Sequence, residues 1–328
     1  MTTASSSSLI GFSAFSGIGG FEHGFRMAGV PIDWAGHSEI DPYPESIHRY
    51  HFTHPNYGDL TTLTAQDLPD FDLLVAGFPC QAFSVAGRRK GFQDRRGSLF
   101  FELARLLRDK TPRYFLLENV KGLLSHDKGR TFSAIVRTLV ELGYCVEWCV
   151  CNSTNFAVPQ HRERVFLIGY LGAVPARKVF PLTGKGATDP SEQVPATTAT
   201  TSRRGVRYAH HRGQPEVRNR FVSPVYAPDQ QHIRQSQRFK SSGAPAYTLV
   251  SSKLHGIYDG KHIRKLTPRE WERLQGFPDD WTRLGRKADG SIVDMSDTRR
   301  YHVLGNAVTT TVVAAIARKL FPHLSESP

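Results

Sequence analysis

The stretch Phe71-Asp72-Leu73-Leu74-Val75-Ala76-Gly77-Phe78-Pro79-Cys80-Gln81 is the part of the chain that decides the fold. Residues 71–76 form an apolar run typical of a buried parallel strand, and the chain then breaks at Gly77 and Pro79. In an open α/β sheet, ligands and chemistry lie outside the carboxyl ends of the strands, so Cys80 stands where a nucleophile is expected. The alternative is a buried structural cysteine, which is a common core residue.

Apolar runs and helical patterns alternate on both sides of that stretch. The predicted strands are 10–15, 32–38, 71–76, 114–117, 144–151 and 164–170. The predicted helices are 20–28, 43–51, 99–108 and 131–142. This alternation predicts an α/β fold with a Rossmann-like, mostly parallel sheet that is covered on both faces.

The remaining segments suggest how the chain is organised. Residues 1–8 form a polar tail that we expect to be disordered, and 9–175 form the catalytic and cofactor-binding domain. Residues 176–262 are rich in Thr, Ser, Gln, Pro and Gly, which indicates a smaller, loop-rich domain. Residues 263–328 return to complete the first domain. In that return segment, 267–270 spell a helix capping box, and an apolar stripe from 308 to 320 predicts a last helix that packs back on the sheet.

The net charge of +12 points to a polyanionic partner. Residues 171–261 hold 14 Lys and Arg against 5 Asp and Glu, a net of +9, and the rest of the chain has a net of +3. The alternative is an ordinary solvated surface. The four cysteines have no framework spacing, which indicates a reducing compartment, and we find neither a membrane-spanning apolar run nor a signal peptide.

A glycine-rich turn, 15–20 (FSGIGG), joins the first strand to the first helix. Glycines let a backbone approach a ligand, and an acid at the end of the second strand, Glu39, can hold ribose hydroxyls. Asp59 and Leu60 are candidates to meet an adenine. Glu22 stands where the dinucleotide fingerprint needs its last glycine, so the pattern fits a nucleoside cofactor in general. The alternative is a tight turn with acids that cap helices.

Two further groups carry chemistry. Glu118 ends the fourth predicted strand, and Arg162 and Arg164 flank Glu163 just before another strand. If these arginines lie on a strand they share one face of it. The alternatives are a helix-capping acid and a surface ion pair. Residues 84–96 form a basic loop with glycine hinges, which is either a moving phosphate-binding loop or merely a flexible one.

Taken in order, the motifs resemble those of the DNA (cytosine-5)-methyltransferases. The matching stretches are 15–20, 77–84 (GFPCQAFS), 118–120 (ENV), 160–166 (QHRERVF), 264–281 and 305–308 (GNAV). The resemblance covers nearly the whole chain except the basic segment. It implies S-adenosylmethionine as cofactor, S-adenosylhomocysteine as product and a flipped-out cytosine as substrate. The cofactor residues it implies are Phe15, Gly17, Ile18, Gly19, Gly20, Glu39, Ile40, Asp59, Leu60, Pro79, Leu99, Asn306 and Ala307.

The resemblance also assigns catalytic roles, and the residue types suit them. The thiolate of Cys80 would add to C6 of cytosine and make C5 nucleophilic. Glu118 would protonate or hydrogen-bond N3. Of Arg162 and Arg164, one would reach O2 and the other would steady the carboxylate. Cys145, Cys149 and Cys151 alternate along a strand without a completing ligand set, so we expect no metal site.

The expected partner is double-stranded DNA, with the second domain as its target-recognition domain. The candidate DNA contacts are Ser84, Arg88, Arg89, Lys90, Arg203, Arg204, Arg207, Arg218, Arg220, Arg234, Arg238 and Thr248. The compact chain resembles bacterial and phage modification enzymes, which implies a cytoplasmic monomer and, where one exists, a cognate restriction endonuclease that acts separately.

Two alternatives stay open. The first is the same chemistry on transfer RNA, although that branch carries a Cys-Phe-Thr element and here no cysteine follows Cys151. The second is a non-catalytic DNA-binding relative, which would be expected to have lost Cys80 or Glu118.

Overall fold

The computed structural model describes residues 8–78, 99–172, 177–182, 223–226, 244–251, 255–258 and 262–325, and its centre is a six-stranded sheet. The strands are β1 (Leu9–Ala14), β2 (Ile32–Ser38), β3 (Leu73–Gly77), β4 (Tyr114–Val120), β5 (Tyr144–Asn152) and β6 (Glu163–Leu171). Their spatial order is β2-β1-β3-β4-β6-β5. The first four strands pair in parallel, and β6 is antiparallel to both of its neighbours. The predicted mostly parallel α/β sheet is confirmed.

Four helices follow the first strands, and four more complete the return segment. The first four are α1 (Gly20–Ala28), α2 (Pro42–His51), α3 (Leu99–Lys110) and α4 (Arg130–Glu141). The later ones are α5 (Pro268–Gln275), α6 (Asp297–Asn306), α7 (Thr310–Leu320) and α8 (Pro322–Ser325). Short 3-10 turns occupy Ala65–Asp67, Lys121–Leu124, His126–Gly129 and Ser153–Asn155. The four predicted helices before residue 143 each lie within two residues of an observed one.

Strand β3 shows why the sequences of the central strands are continuous apolar runs. Leu73 and Val75 belong to the core on the face covered by α1 and α7, and Leu74 and Ala76 belong to the core beneath α3 and α4. All four side chains are fully buried. Since burying a large aliphatic side chain contributes about 1.5–3 kcal/mol, neither face of this strand tolerates a polar residue before the strand ends.

Helices α1 and α7 pack very closely through a glycine. A Cβ at Gly24 would lie 2.5 Å from Cγ1 of Val313, so only glycine permits this approach. The prediction that the last helix packs back on the first domain is therefore confirmed. The stretch Asp297–Leu320 is long and apolar enough to pass as a membrane span by length and composition, which the sequence reading did not anticipate. It consists of α6 and α7, and 67% of its apolar window is buried inside the protein, as expected for core helices.

The predicted capping box starts α5. The hydroxyl of Thr267 accepts the backbone N–H of Glu270 at 3.3 Å, and the Glu270 carboxylate accepts the backbone N–H of Thr267 at 2.8 Å. Gly276 ends the helix in the left-handed conformation with φ +80°. Both ends of this helix are as the sequence predicts.

Two small antiparallel sheets complete the described structure. One consists of β7 (Ser223–Tyr226), β8 (His255–Tyr258) and β9 (Ile263–Lys265), and the other of β10 (Leu284–Arg286) and β11 (Ile292–Asp294). Strand β9 lies past the expected domain limit at residue 262 and yet pairs with β8. The domain limits stay predictions, because residues 1–7 and most of 173–261 lie outside the described part of the chain.

Residues 246–249, near the end of the basic segment, lie against residues 159–162. We call this contact the base clamp, where base means the foot of the basic segment and not a nucleobase. Backbone hydrogen bonds join Ala246 N–H to the carbonyl of Pro159 at 2.7 Å and His161 N–H to the carbonyl of Ala246 at 2.9 Å. The buried side chain of Gln160 accepts the N–H of Leu249 at 2.8 Å and donates to the carbonyl of Leu274 at 2.9 Å. The base clamp therefore fixes the end of the basic segment beside the start of β6.

Candidate active site

A cavity of about 430 Å³ opens at the carboxyl ends of the parallel strands. Its walls are formed by the turn after β1, the ends of β2, β3 and β4, and the loop between α6 and α7. Its lining residues are Phe15, Ser16, Gly17, Ile18, Gly20, Phe21, Glu39, Asp41, Pro44, Gly77, Phe78, Glu118, Asn119, Val120, Arg162, Arg164, His302, Val303, Gly305, Asn306, Ala307 and Val308. The fold thus joins six stretches that are far apart in the sequence.

The glycine-rich turn forms one wall of this cavity. Gly17 has φ +56°, and a Cβ on it would meet no atom of the described residues within 4 Å. Gly19 has φ +80° and caps α1, whose N-terminus is capped by no side chain in the described part of the chain. A ligand in the cavity can therefore lie directly against the backbone and the start of a helix.

Glu39 is held at the end of β2 by backbone groups. Its carboxylate accepts the N–H of Gly17, Ile40 and Asp41, each at 2.9 Å. Burial raises the pKa of Glu39 above its usual value, and these three hydrogen bonds only partly offset the rise. The carboxylate lines the cavity in a fixed orientation. A carboxylate held in this way can accept hydrogen bonds from the hydroxyl groups of a ligand.

Glu118 and Arg164 form an ion pair in the opposite wall. The distance from Nε of Arg164 to Oε1 of Glu118 is 3.1 Å, and the side chains are 16% and 12% exposed. Burial raises the pKa of Glu118, although both Arg164 and Arg162 oppose that rise. The alternative of a surface ion pair is therefore wrong for these two side chains. A buried carboxyl group with a raised pKa can hold and donate a proton.

Arg162 precedes β6, and it is bound to the return of the chain. Its guanidinium donates to the carbonyls of Leu249 at 2.9 Å, Gly305 at 3.2 Å and Ala307 at 2.8 Å. Burial lowers its pKa to about 9, and the neighbouring Arg164 adds to that effect. Among the described residues, its Nε has no hydrogen-bond partner although it is buried. Of the two arginines, Arg164 is thus the one beside the carboxylate, and Arg162 ties the base clamp to the cavity wall.

The strand that leads to Cys80 runs beside Glu118. Gly77 pairs with Glu118 in the β3–β4 register, and the side-chain amide of Asn119 donates to the carbonyl of Phe78 at 2.9 Å. Cys80 itself lies outside the described residues.

Several predicted residues lie elsewhere or cannot be placed. Five expected cofactor residues do not line the cavity that the described residues form: Gly19, Ile40, Asp59, Leu60 and Leu99. Leu60 is buried in the core, the carboxylate of Asp59 binds Thr61, and Ile40 is 72% exposed beside Glu39. The predicted residues outside the described part of the chain are Pro79, Cys80, Ser84, Arg88, Arg89, Lys90, Arg203, Arg204, Arg207, Arg218, Arg220, Arg234 and Arg238.

The structure places Thr248 in the base clamp, and it adds four polar cavity residues that the sequence did not predict. The hydroxyl of Thr248, an expected DNA contact, donates to the carbonyl of His161 within the base clamp. Sequence reasoning missed Ser16, Asp41, Asn119 and His302, which line the cavity. The first three adjoin residues that were predicted, so proximity to a motif was their signal. His302 lies on α6, where no motif pointed to it.

Comparison with known proteins identifies the family. The family profile described as C-5 cytosine-specific DNA methylase matches residues 11–322. The type II methyltransferase M.NlaX of Neisseria lactamica is 37% identical over 316 residues, covering 95% of this chain and 96% of the relative. M1.ScrFI of Lactococcus lactis subsp. cremoris is 35% identical over 331 residues, covering 95% and 78%.

Solved structures agree on the fold. The S. pombe Dnmt2 methyltransferase matches with a TM-score of 0.67 at 20% identity, covering 96% of this chain and 99% of that one. The Entamoeba histolytica methyltransferase EhMeth matches with a TM-score of 0.64 at 17% identity, covering 97% and 99%. The profile match over most of the chain shows that this protein belongs to the C-5 cytosine-specific DNA methylase family.

Proposed function

We propose that this member of the family methylates C5 of a cytosine flipped out of double-stranded DNA, through an adduct between the Cys80 sulfur and C6 of the base. The observation that carries the proposal is the buried Glu118–Arg164 pair, which shares one cavity with the glycine-rich turn and adjoins the strand that leads to Cys80. The family supports the reaction class.

The residues of the cavity suit S-adenosylmethionine. The turn at Gly17 leaves open space beside the backbone, and Glu39 presents a fixed carboxylate to the same space. The buried hydroxyl of Ser16 also lines the cavity and has no hydrogen-bond partner among the described residues. It can therefore form a hydrogen bond with a ligand. When bound, this cofactor supplies an electrophilic methyl group and leaves as S-adenosylhomocysteine. Glu39 and the turn would hold its nucleoside part.

Cys80, Glu118 and Arg164 would act on the base. Addition of the Cys80 thiolate at C6 pushes electrons toward N3 and O2 and makes C5 nucleophilic. Glu118 neutralises the charge that develops at N3 by donating a proton to it. Its raised pKa lets the carboxyl group hold that proton beforehand. Arg164 fixes the orientation of the carboxyl group. After C5 is methylated, its hydrogen leaves as a proton, and the electron pair left behind expels the thiolate and restores the aromatic ring.

The basic segment would supply the DNA contacts. Residues 171–261 carry a net charge of +9, which suits release of counterions from phosphate. Thr248 lies at the base clamp, beside the wall that holds Arg162 and Arg164. We propose a specific duplex site as the target, a monomeric enzyme, and a restriction endonuclease, where one exists, as a separate protein.

A duplex with 5-fluorocytosine at the target position tests the proposal. Fluorine cannot leave C5 as a cation, so the enzyme should stay attached through C6 and give a band that resists denaturation. The band should require S-adenosylmethionine and disappear in Cys80→Ala. Mass spectrometry of the modified peptide should identify Cys80 as the attached residue.

The matched control is Cys145→Ser, which changes a half-buried cysteine of β5 outside the cavity and should leave the adduct intact. An adduct that maps to Cys145, Cys149 or Cys151 would refute the choice of nucleophile. An adduct on transfer RNA and none on DNA would place the protein in the RNA-modifying branch.

A further inference from the structure

Three histidines that no motif announced meet beneath the glycine-rich turn, and we call them the histidine cluster. His37 lies on β2, His48 on α2, and His54 just after α2. One ring nitrogen from each lies within 4.8 Å of those of the other two. The ring centroids of His37 and His48 are 3.8 Å apart, and those of His54 are 5.1 and 4.9 Å from them.

The cluster contains buried polar atoms that the protein does not satisfy. Nδ1 of His37, Nδ1 of His48, Nε2 of His54 and Oε2 of Glu22 are buried and have no hydrogen-bond partner among the described residues. Such groups are rare in native proteins, and each costs about 1–3 kcal/mol unless a water or an ion binds it. One unsatisfied atom on each of four neighbouring side chains therefore points to a bound species.

The other ring nitrogens of His37 and His48 are held by carboxylates. Nε2 of His37 lies 2.9 Å from Glu45, which Arg49 also binds, and Nε2 of His48 lies 3.1 Å from Oε1 of Glu22. Histidines that bind metals usually donate their second ring N–H to a carboxylate, which fixes the ring and leaves the first nitrogen as a ligand. For His37 and His48 that arrangement leaves Nδ1 as the free ligand atom.

The charge of Glu22 calls for a cation. Its side chain is 0% exposed, and its ion-pair partners among the described residues are His48 and His54 alone. A buried carboxylate requires compensating positive charge, and here that charge is either a proton on an imidazole or a metal ion. Three imidazoles are nitrogen ligands that Zn²⁺ accepts, and the charge of the ion would also compensate the carboxylate behind His48.

We propose that His37, His48 and His54 bind a divalent transition metal ion, with Zn²⁺ as the first candidate and Glu22 as the carboxylate behind His48. Ligand atoms around tetrahedral Zn²⁺ lie about 3.4 Å apart, so the rings would close by no more than about 1.4 Å. The ion would join β2, α2 and the segment just after α2. A Cβ at Gly19 would lie 2.3 Å from the ring of Phe52 and 3.3 Å from that of His48, so the glycine-rich turn passes close to the cluster.

Metal content and spectroscopy of the full-length, tag-free protein test this site independently of methyl transfer. After removal of metals with a chelator, the protein should bind one Co²⁺ per chain. The bound ion should give the intense visible bands of tetrahedral nitrogen and oxygen ligands, without a thiolate charge-transfer band, and Zn²⁺ should displace it.

Matched variants locate the site. His54→Gln should weaken Co²⁺ binding by more than about 100-fold, and Glu45→Gln, which removes the carboxylate behind His37, by about 10- to 100-fold. The double variant His210→Asn/His211→Asn removes the adjacent histidine pair of the basic segment and should bind as the wild type does. Less than one tightly bound Co²⁺ per folded wild-type chain, or a thiolate band, would overturn the proposal. Equal binding by a folded His54→Gln chain would overturn it as well, and Glu22 would then be balanced by an imidazolium.

Discussion

Two partly buried carboxylates line the cavity, and they are held by different means. Glu39 is fixed by three backbone N–H groups, whereas Glu118 is fixed by the side chain of Arg164. Burial raises the pKa of both. The difference teaches that the wall proposed to bind the cofactor is set by the path of the main chain, while the wall proposed for catalysis depends on a replaceable side chain.

Replacing the catalytic acid should give the largest effect. Glu118→Gln keeps the shape of the side chain and removes the proton, so kcat should fall by about 10²- to 10⁴-fold. The dissociation constant for S-adenosylmethionine should stay within about twofold, because the opposite wall is untouched. Steady-state methyl transfer and calorimetric titration measure the two quantities. The control is Glu163→Gln, which removes a neighbouring carboxylate whose partner is the exposed Lys121, and wild-type turnover in Glu118→Gln would refute the assignment.

Removing the arginine that holds that acid should have a smaller effect. Arg164→Met leaves Glu118 in place but free to turn, so kcat should fall by about 10- to 100-fold without loss of fold. Arg162→Met should instead lower the melting temperature, because three backbone carbonyls lose their donor. Turnover and thermal melts of both variants sharpen the comparison. If Arg164→Met unfolded while Arg162→Met lost only turnover, the two roles would be reversed.

On the cofactor wall, substitution should change binding and spare the chemistry. Glu39→Gln keeps one acceptor oxygen and loses the charge, so the dissociation constant for S-adenosylmethionine should rise about tenfold. At saturating cofactor, kcat should remain near that of the wild type. A kcat loss as large as that of Glu118→Gln would erase the distinction between the two walls.

The smallest effect concerns stability and pH. When the pKa of a carboxyl group is higher in the folded state, ionising that group lowers the free energy of unfolding. Between pH 4.5 and the raised pKa, the folded state therefore binds more protons than the unfolded state. Stability is therefore lost as pH rises through that window. Glu118→Gln should raise the melting temperature at pH 7 by on the order of 2 °C, and the gain should vanish below pH 4.5, whereas Glu39→Gln also loses acceptors for backbone N–H groups and should show no such gain. Melts at several pH values check this, and a gain that grew in acid would contradict the sign.

The elements were predictable because their signals are local. Helix α1 runs from Gly20 to Ala28 as its turn and periodicity predict, and the capping box at Thr267 starts α5. Glu118 and Arg164 follow from motifs at strand ends. Apolar runs alone, however, do not show that β6 is antiparallel or that it lies between β4 and β5.

The unpredicted features depend on contacts between distant segments. Leu60 follows a turn and is expected from the resemblance to line the cofactor site, yet its apolar side chain is buried in the core. Arg162 shares a motif with Arg164, but its carbonyl partners come from residues 249–307, which no local pattern could supply. Likewise, the histidine cluster has no metal-ligand spacing in the sequence, and only the packing of β2, α2 and the segment just after α2 assembles it.

The base clamp has a consequence for how such a protein can diversify. Because Gln160 and Arg162 hold Leu249 at the point where the chain returns, both ends of the intervening segment are anchored whatever lies between them. The entropy of closing a loop grows only slowly with its length, so insertions or exchanges there cost little stability. Under the proposed function, a lineage that recombined this interchangeable insert would acquire a new DNA target while inheriting the carboxylates and arginines of the cavity without adjustment.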